Sequence, residues 1–152
     1  VRVHILAVGR VRRGPERDLY DSYVRQIRWP LSLIEVEEKK PVAGAERLRR
    51  EADLLLRAIP DGATVIALDE RGDSLASRDF AHRIESWRDT GQSDIAFVIG
   101  GADGLDPSVR DRAALILSFG RQTWPHQMAR IMLIEQIYRA QQILAGHPYH
   151  RD

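Results

Sequence analysis

The last six residues, His147-Pro148-Tyr149-His150-Arg151-Asp152, gather two imidazoles, a phenol, a guanidinium and a carboxylate just after Gly146. Chain ends that merely fray do not normally carry such a density of functional groups. Three readings fit: a frayed tail, a His-x-x-His metal site, and a strip that contacts a substrate. Metal is the weakest, because a tail beyond a helix offers poor ligand geometry and no Cys or obvious third ligand stands near. Two internal segments have the makeup of ligand loops. Val98-Ile99-Gly100-Gly101-Ala102-Asp103-Gly104-Leu105 runs an apolar stretch straight into three glycines. It reads equally as a tight strand-to-helix turn and as a cradle for a small molecule, and it has neither the Lys-Ser/Thr of a phosphate loop nor the GxGxxG spacing. Ser118-Phe119-Gly120-Arg121-Gln122-Thr123-Trp124-Pro125-His126 leaves a second apolar stretch. Its polar backbone suits an adenine edge, or it is a plain connection with Trp124 in the core and Pro125 in the first helical turn. Arg10, Arg12 and Arg13 form the densest basic run, beside Gly14-Pro15.

Something must hold these groups in place, and the hydrophobic spacing says what. Short β-branched runs alternate with stretches of helical period, the pattern of an α/β layer fold. Strands are expected at residues 3–8, 31–36, 64–68, 95–99 and 115–119. The first helix, residues 15–27, puts Leu19, Tyr20, Tyr23, Val24 and Ile27 on one face and ends before Trp29-Pro30. The second, 44–59, carries Leu48, Ala52, Leu55, Leu56 and Ile59 inward. The third has Ser77 as its N-cap and Phe80, Ile84 and Trp87 inward. A short helix opens at Asp106-Pro107, and a long one covers residues 125–145 with Gly146 as its C-terminal cap. The glycine segment and the 118–126 loop then both fall where strands end, the usual ligand position of such folds.

The chain has 152 residues, 43% of them hydrophobic, which suffices for one domain spanning 1–152 with a sizeable core. It has 23 Lys and Arg against 22 Asp and Glu, a formal net charge of +1, so no global field draws in a polyanion and any nucleic-acid contact is a local patch. The absence of Cys excludes disulfides, thiolate nucleophiles and zinc-thiolate sites and suits a reducing compartment. The opening apolar run is too short for a membrane span and lacks a signal-peptide pattern. A cytoplasmic protein with no membrane or metal partner is expected.

Several of these segments together resemble the RlmH family of ribosomal RNA large subunit methyltransferases, in the SPOUT superfamily. They are Phe97-Val98-Ile99-Gly100-Gly101-Ala102-Asp103-Gly104-Leu105, Thr123-Trp124-Pro125-His126, Tyr138-Arg139-Ala140 and His147-Pro148-Tyr149-His150-Arg151, with Leu6-Ala7-Val8-Gly9 and Ala67-Leu68-Asp69-Glu70-Arg71-Gly72 adding weight. Order and spacing match over essentially the whole chain, and residues 37–50 match least. The resemblance implies an α/β SPOUT-type fold, with a parallel sheet covered by helices on both faces, a deep trefoil knot in the C-terminal part, and a homodimer. Periodicity alone gives an ordinary doubly wound sheet, since knots are nearly absent among folds. It further implies S-adenosylmethionine as methyl donor and N3 of a pseudouridine in 23S ribosomal RNA of the assembled ribosome as acceptor. Carried over by motif, the donor contacts are Leu68, Gly100, Phe119, Gly120, Arg121, Gln122, Thr123 and Trp124.

On that reading the protein aligns one nitrogen behind the methyl carbon and manages one proton, and positioning supplies most of the rate. His150 is the candidate acceptor for the imino proton, as free histidine titrates near neutral pH. Arg139 and Arg151 are candidates to hold phosphate or the charge developing on the base oxygen, and Tyr149 to stack on a flipped base. Arg139 also lies four residues after Glu135, the spacing of a helical ion pair, and Tyr149 is equally suited to covering a dimer seam. Arg10, Arg12, Arg13 and Arg151 are the candidate RNA contacts, though most such runs are solvated loops. The alternative from another class is a non-catalytic ribosome-binding module of the same fold. A phosphate-cleaving hydrolase needs a nucleophile or metal cluster that the sequence does not offer.

Overall fold

The computed structural model describes residues 1–152. Strands and helices alternate strictly: β1 (Arg2–Val8), α1 (Pro15–Val24), β2 (Leu31–Val36), α2 (Gly44–Ala58), β3 (Thr64–Asp73), α3 (Ser77–Asp89), β4 (Asp94–Ile99), α4 (Pro107–Arg112), β5 (Leu115–Leu117) and α5 (His126–Leu144). All neighbouring strands run parallel, in the order β2-β1-β4-β3-β5. Parallel pairing requires a crossover between partners, so the helices are laid over the sheet. Alternation along each strand then sorts the core into two layers. Val3, Ile5, Ala7, Ile95, Phe97 and Ile99 face α1, α3 and α5. Leu6, Val8, Val65, Ala67, Ala96 and Val98 face α2 and α4. This is the expected parallel sheet with helices on both faces.

Element type agrees with the sequence reading throughout, and the differences lie at ends and faces. β3 was expected to stop at Leu68. It runs on because residues 69–72 leave the ladder and Asp73 rejoins β5 at Leu117, a main-chain pairing that the polar side chains of that stretch do not announce. Ser77 is not the N-cap of α3; Ala76 is, and the Ser77 hydroxyl donates instead to Gln136 Oε1 at 2.7 Å. Leu19 does not face inward. It is 46% exposed while its neighbour Tyr20 is buried, because the stripe of α1 centres on Tyr20, Tyr23 and Val24 and one residue turns by 100°. Trp124 lies outside the core at 41% exposure, and Pro125 is the N-cap of α5 rather than a first-turn residue. The end of α5 is as expected. Gly146 at φ +71° lets its N–H reach the Ile143 carbonyl at 3.0 Å and the His147 N–H reach that of Gln142 at 2.9 Å, the paired closure of a Schellman motif.

Candidate active site

The carboxyl ends of β3, β4 and β5 open onto one cavity of about 330 Å³, the place where open parallel sheets hold ligands. Its walls include Leu68, Gly100, Phe119, Gly120, Gln122, Thr123 and Trp124, so seven of the eight donor contacts expected from the motifs converge. Arg121 is the exception: it is exposed and lines no part of the cavity.

Two local devices shape the opening. A Cβ on Gly100 would collide with the Gly104 carbonyl and approach the Leu105 side chain to 3.1 Å. Gly100 is therefore glycine because the loop doubles back on itself, with Gly104 N–H bonded to the Gly101 carbonyl at 3.1 Å. Crowding by a ligand is not needed to explain it. On the other lip, buried Ser118 accepts from Gly120 N–H at 3.0 Å, and its hydroxyl faces the carbonyls of Glu70 at 3.1 Å and Gly120 at 3.0 Å. One side chain thus ties the β3 extension to the loop after β5.

The wall is acidic. Asp69, Glu70 and Asp103 line it. Asp69 is held below the usual carboxylate range, first by the hydrogen bonds of Arg71 at 3.0 and 2.9 Å and further by the charge of Arg110. It therefore stays ionised. Glu70 faces only the Thr123 hydroxyl, at 3.5 Å. A small cavity with carboxylates on its rim and main-chain polar groups around it fits a cationic ligand such as a sulfonium methyl donor.

The tail is not frayed. Glu135 Oε1 accepts from Arg139 Nε at 3.0 Å and Nη2 at 2.6 Å, and from the Tyr149 hydroxyl at 2.9 Å. The Arg139 guanidinium also lies 4.7 Å from the Tyr149 ring centre, and Tyr149 packs edge-on to Tyr138 at 4.8 Å. So the helical ion pair expected as the plain alternative for Arg139 is present. Burial, followed by the bond to Glu135, pushes the Tyr149 phenol up to about 12. Arg139 Nη1 stands 3.1 Å from His150 Nδ1. A guanidinium can only donate, so Nδ1 holds the lone pair and the proton sits on Nε2, facing Asp152 Oδ1 at 2.9 Å. Asp152 in turn accepts from Arg78 on α3 at 2.8 and 2.9 Å. Both ring nitrogens of His150 are thus engaged.

The structure brings together Arg139, Tyr149 and His150, and separately seven of the residues expected to contact the donor, but it does not join the two groups within one chain. A second cavity, of about 570 Å³, shares Leu117, Phe119 and Gly120 with the first and has Glu135 on its border. No residue of the tail lines either cavity. Arg12, Arg13 and Arg151 are exposed and form no ion pair, while Arg10 stands 3.8 Å from Glu37. Sequence reasoning missed the acidic wall, the hub role of Glu135, and the buried cation Arg130. The last had a signal: a charge on the inward stripe of α5, in line with Ile134 and Ile137.

An all-parallel sheet with a small-molecule cleft at its carboxyl edge and an ionic cluster on its last helix defines an α/β enzyme architecture. The chain belongs to the SPOUT methyltransferase family: the family model described as "Predicted SPOUT methyltransferase" matches residues 1–150. It is 62% identical over 151 residues to Ribosomal RNA large subunit methyltransferase H of Rhodospirillum centenum, across 99% of each chain. It is 56% identical over 151 residues to the protein of the same name from Paramagnetospirillum magneticum, again across 99% of each. A solved structure of a probable methyltransferase from Bordetella pertussis Tohama I is alike in fold, with TM-score 0.59 at 16% identity over 91% of this chain and 95% of that one. The family resemblance read from the motifs is borne out.

Proposed function

We propose that this protein transfers a methyl group from S-adenosylmethionine to N3 of a pseudouridine in the 23S ribosomal RNA of the assembled ribosome. The observation that carries the reading is its whole-length identity to proteins named as large-subunit ribosomal RNA methyltransferases. The convergence of Leu68, Gly100 and five residues of the 119–124 loop on one cavity supports it.

When bound, the donor supplies an electrophilic methyl on a positively charged sulfur. The two loops would hold it, and Glu70 and Asp103 would offset its charge, Asp69 being already paired with Arg71 and Arg110. Tyr149 stays protonated across the physiological range and is not a base; with its hydroxyl on Glu135 and its ring under Arg139, it would stack on a base only after those contacts give way. His150 takes the imino proton once Nδ1 is released from Arg139, and an RNA phosphate or base oxygen competing for that guanidinium releases it. Arg10, Arg12, Arg13 and Arg151 hold phosphates, concentrating in two places the contacts that a near-neutral chain cannot supply globally.

The trefoil knot, the homodimer and the cytoplasmic location belong to the same proposal. Asp73 returns to β5, with the Ser118 N–H on the Asp73 carbonyl at 2.9 Å; the knot rests on the family membership rather than on this pairing. Leu19, Trp124 and Met128 are large apolar side chains exposed on α1, before α5 and on α5. On this proposal a second copy covers them and supplies its tail cluster to this chain's cleft, which one chain leaves apart. No helix is long and apolar enough to cross a membrane.

The test is transfer of a tritiated methyl group to ribosomes from cells lacking the modification, compared with naked RNA. Labelling of one uridine-derived position in the large-subunit RNA of ribosomes is expected. Labelling of another base, or none with donor bound, would sink the reading and leave a ribosome-binding module.

A further inference from the structure

Arg130 is 1% exposed, in the inward stripe of α5. Its Nη2 donates to the main-chain carbonyls of Val8 at 3.2 Å and Gly9 at 2.8 Å, and its Nη1 to Glu35 Oε2 at 2.6 Å. The same Glu35 oxygen accepts from the Val11 N–H at 2.9 Å. Two other buried polar groups nearby are unpartnered: the Nε of Arg130 itself and the hydroxyl of Tyr20, on α1, whose ionisation Arg130 and Glu35 both influence. A buried ion pair of this kind gains little stability over apolar side chains of similar size. What it does is geometric. It joins α5, one residue beyond the cleft-lining Ala129, to the carboxyl ends of β1 and β2 and to the first residues of the 9–14 loop. That loop carries Arg10, Arg12 and Arg13 and is bounded by Gly9 and Gly14, both at positive φ; apart from this ion pair, its start is held by the Gly9 N–H on the Val36 carbonyl at 2.8 Å and by Arg10 lying 3.8 Å from Glu37.

We infer that Arg130 and Glu35 are positioning residues for the RNA substrate: they pin the 9–14 loop at a set distance from the donor cleft, so that a phosphate held by Arg12 and Arg13 delivers the acceptor base to the methyl group. The inference rests on the RNA role proposed above for that loop. Glu35 is suited to the task. Partial burial alone would raise its carboxyl, but the Arg130 and Val11 hydrogen bonds together keep it below the usual carboxylate range, so the pin holds its charge at neutral pH.

The test compares the full-length parent with Arg130→Met/Glu35→Leu, which removes both charges and keeps volume, and with Glu35→Gln, which keeps an oxygen for Val11. Four quantities are read: melting temperature, S-adenosylmethionine affinity by calorimetry, the rate of tryptic cleavage after Arg10, Arg12 and Arg13, and steady-state transfer to ribosomes. In the double variant, donor affinity stays within about twofold and kcat within about threefold of the parent. Cleavage quickens and KM for ribosomes rises about tenfold or more, the mark of lost ground-state positioning. Glu35→Gln falls between the two, a partial rescue by the conservative change. Cleavage at the parental rate in both folded variants overturns the pin itself. Quickened cleavage with unchanged KM overturns the inference through the RNA role of the loop, and unchanged KM in Arg12→Ala/Arg13→Ala identifies that cause separately. If the double variant does not fold, Glu35→Gln decides: parental cleavage and parental KM together overturn the proposal.

Discussion

A single methyl group at Gly100 is enough to disturb the loop that borders the cleft proposed for the donor. Gly100→Ala sets a Cβ against the Gly104 carbonyl, and main chain cannot swing aside as a side-chain tip does. The expected cost is about 1–3 kcal/mol of stability and a loss of donor affinity of tenfold or more by calorimetry. Donor binding at parental strength would mean that the doubled-back loop does not shape the site. Far from the cleft, at the amino ends of the strands, Asp94 accepts from Arg2 at 2.8 and 2.7 Å and stands 2.9 Å from His4 Nε2. The Arg2 hydrogen bonds, then that of His4, lower its carboxyl to about 2. A carboxylate depressed in the fold stabilises above its unfolded pKa of about 4 and loses that contribution as pH falls through the folded value. Asp94→Asn should therefore melt below the parent at pH 7, by an amount under about 1 kcal/mol, and the gap should close between about pH 4 and pH 2. A gap that persists at pH 2 would assign the effect to packing instead.

At the scale of elements, the tail behaves as an extension of α5. Its hydroxyl, ring and carboxylate bonds reach Glu135, Tyr138, Arg139 and Arg78, so deleting residues 147–152 should lower the melting temperature by a few degrees, on the order of 1–2 kcal/mol. It should leave donor affinity unchanged and abolish transfer. A deletion that transfers methyl at the parental rate would remove Tyr149 and His150 from the mechanism. The ten elements were legible from spacing because buried parallel strands read as continuous apolar runs and helices as stripes. The β3 extension was not, since main-chain pairing holds it. The two loops proposed to hold the donor stood out as glycine-containing strand ends. The hub at Glu135 did not, because a carboxylate spaced four residues from an arginine looks like any solvated helix pair; only the returning tail adds the Tyr149 hydroxyl to the Arg139 donors. Arg130 was missed for the opposite reason: its partners are carbonyls of β1 and a side chain of β2, far away in sequence.

For the whole molecule, the separation of cleft and tail cluster makes a strong demand on assembly. Sedimentation should give a dimer at micromolar concentration, and Met128→Glu with Leu19→Glu should give monomers that bind donor but do not transfer. Complementation sharpens this. At a donor concentration too low for Gly100→Ala to turn over, Gly100→Ala and the 147–152 deletion should recover about a quarter of parental activity when unfolded and refolded together in equal amounts, because half of randomly paired dimers carry one intact composite site of two. No recovery in a mixture shown to contain heterodimers would place cleft and tail action in the same chain.

The strand order carries one more consequence, for the life of the chain before it is finished. β1 lies between β2 and β4, yet β4 begins roughly 60 residues after β2 ends. At about 5–20 residues per second of synthesis, the inner edge of β1 waits on the order of 3–12 s for its partner. During that wait an apolar strand has one row of unpaired amides and carbonyls, the kind of edge that templates association between chains. Refolding from denaturant should accordingly take milliseconds to seconds rather than microseconds, because closure depends on pairing far along the sequence. Yields should fall with protein concentration, since neighbouring nascent or refolding chains compete for the edge that β4 is meant to fill.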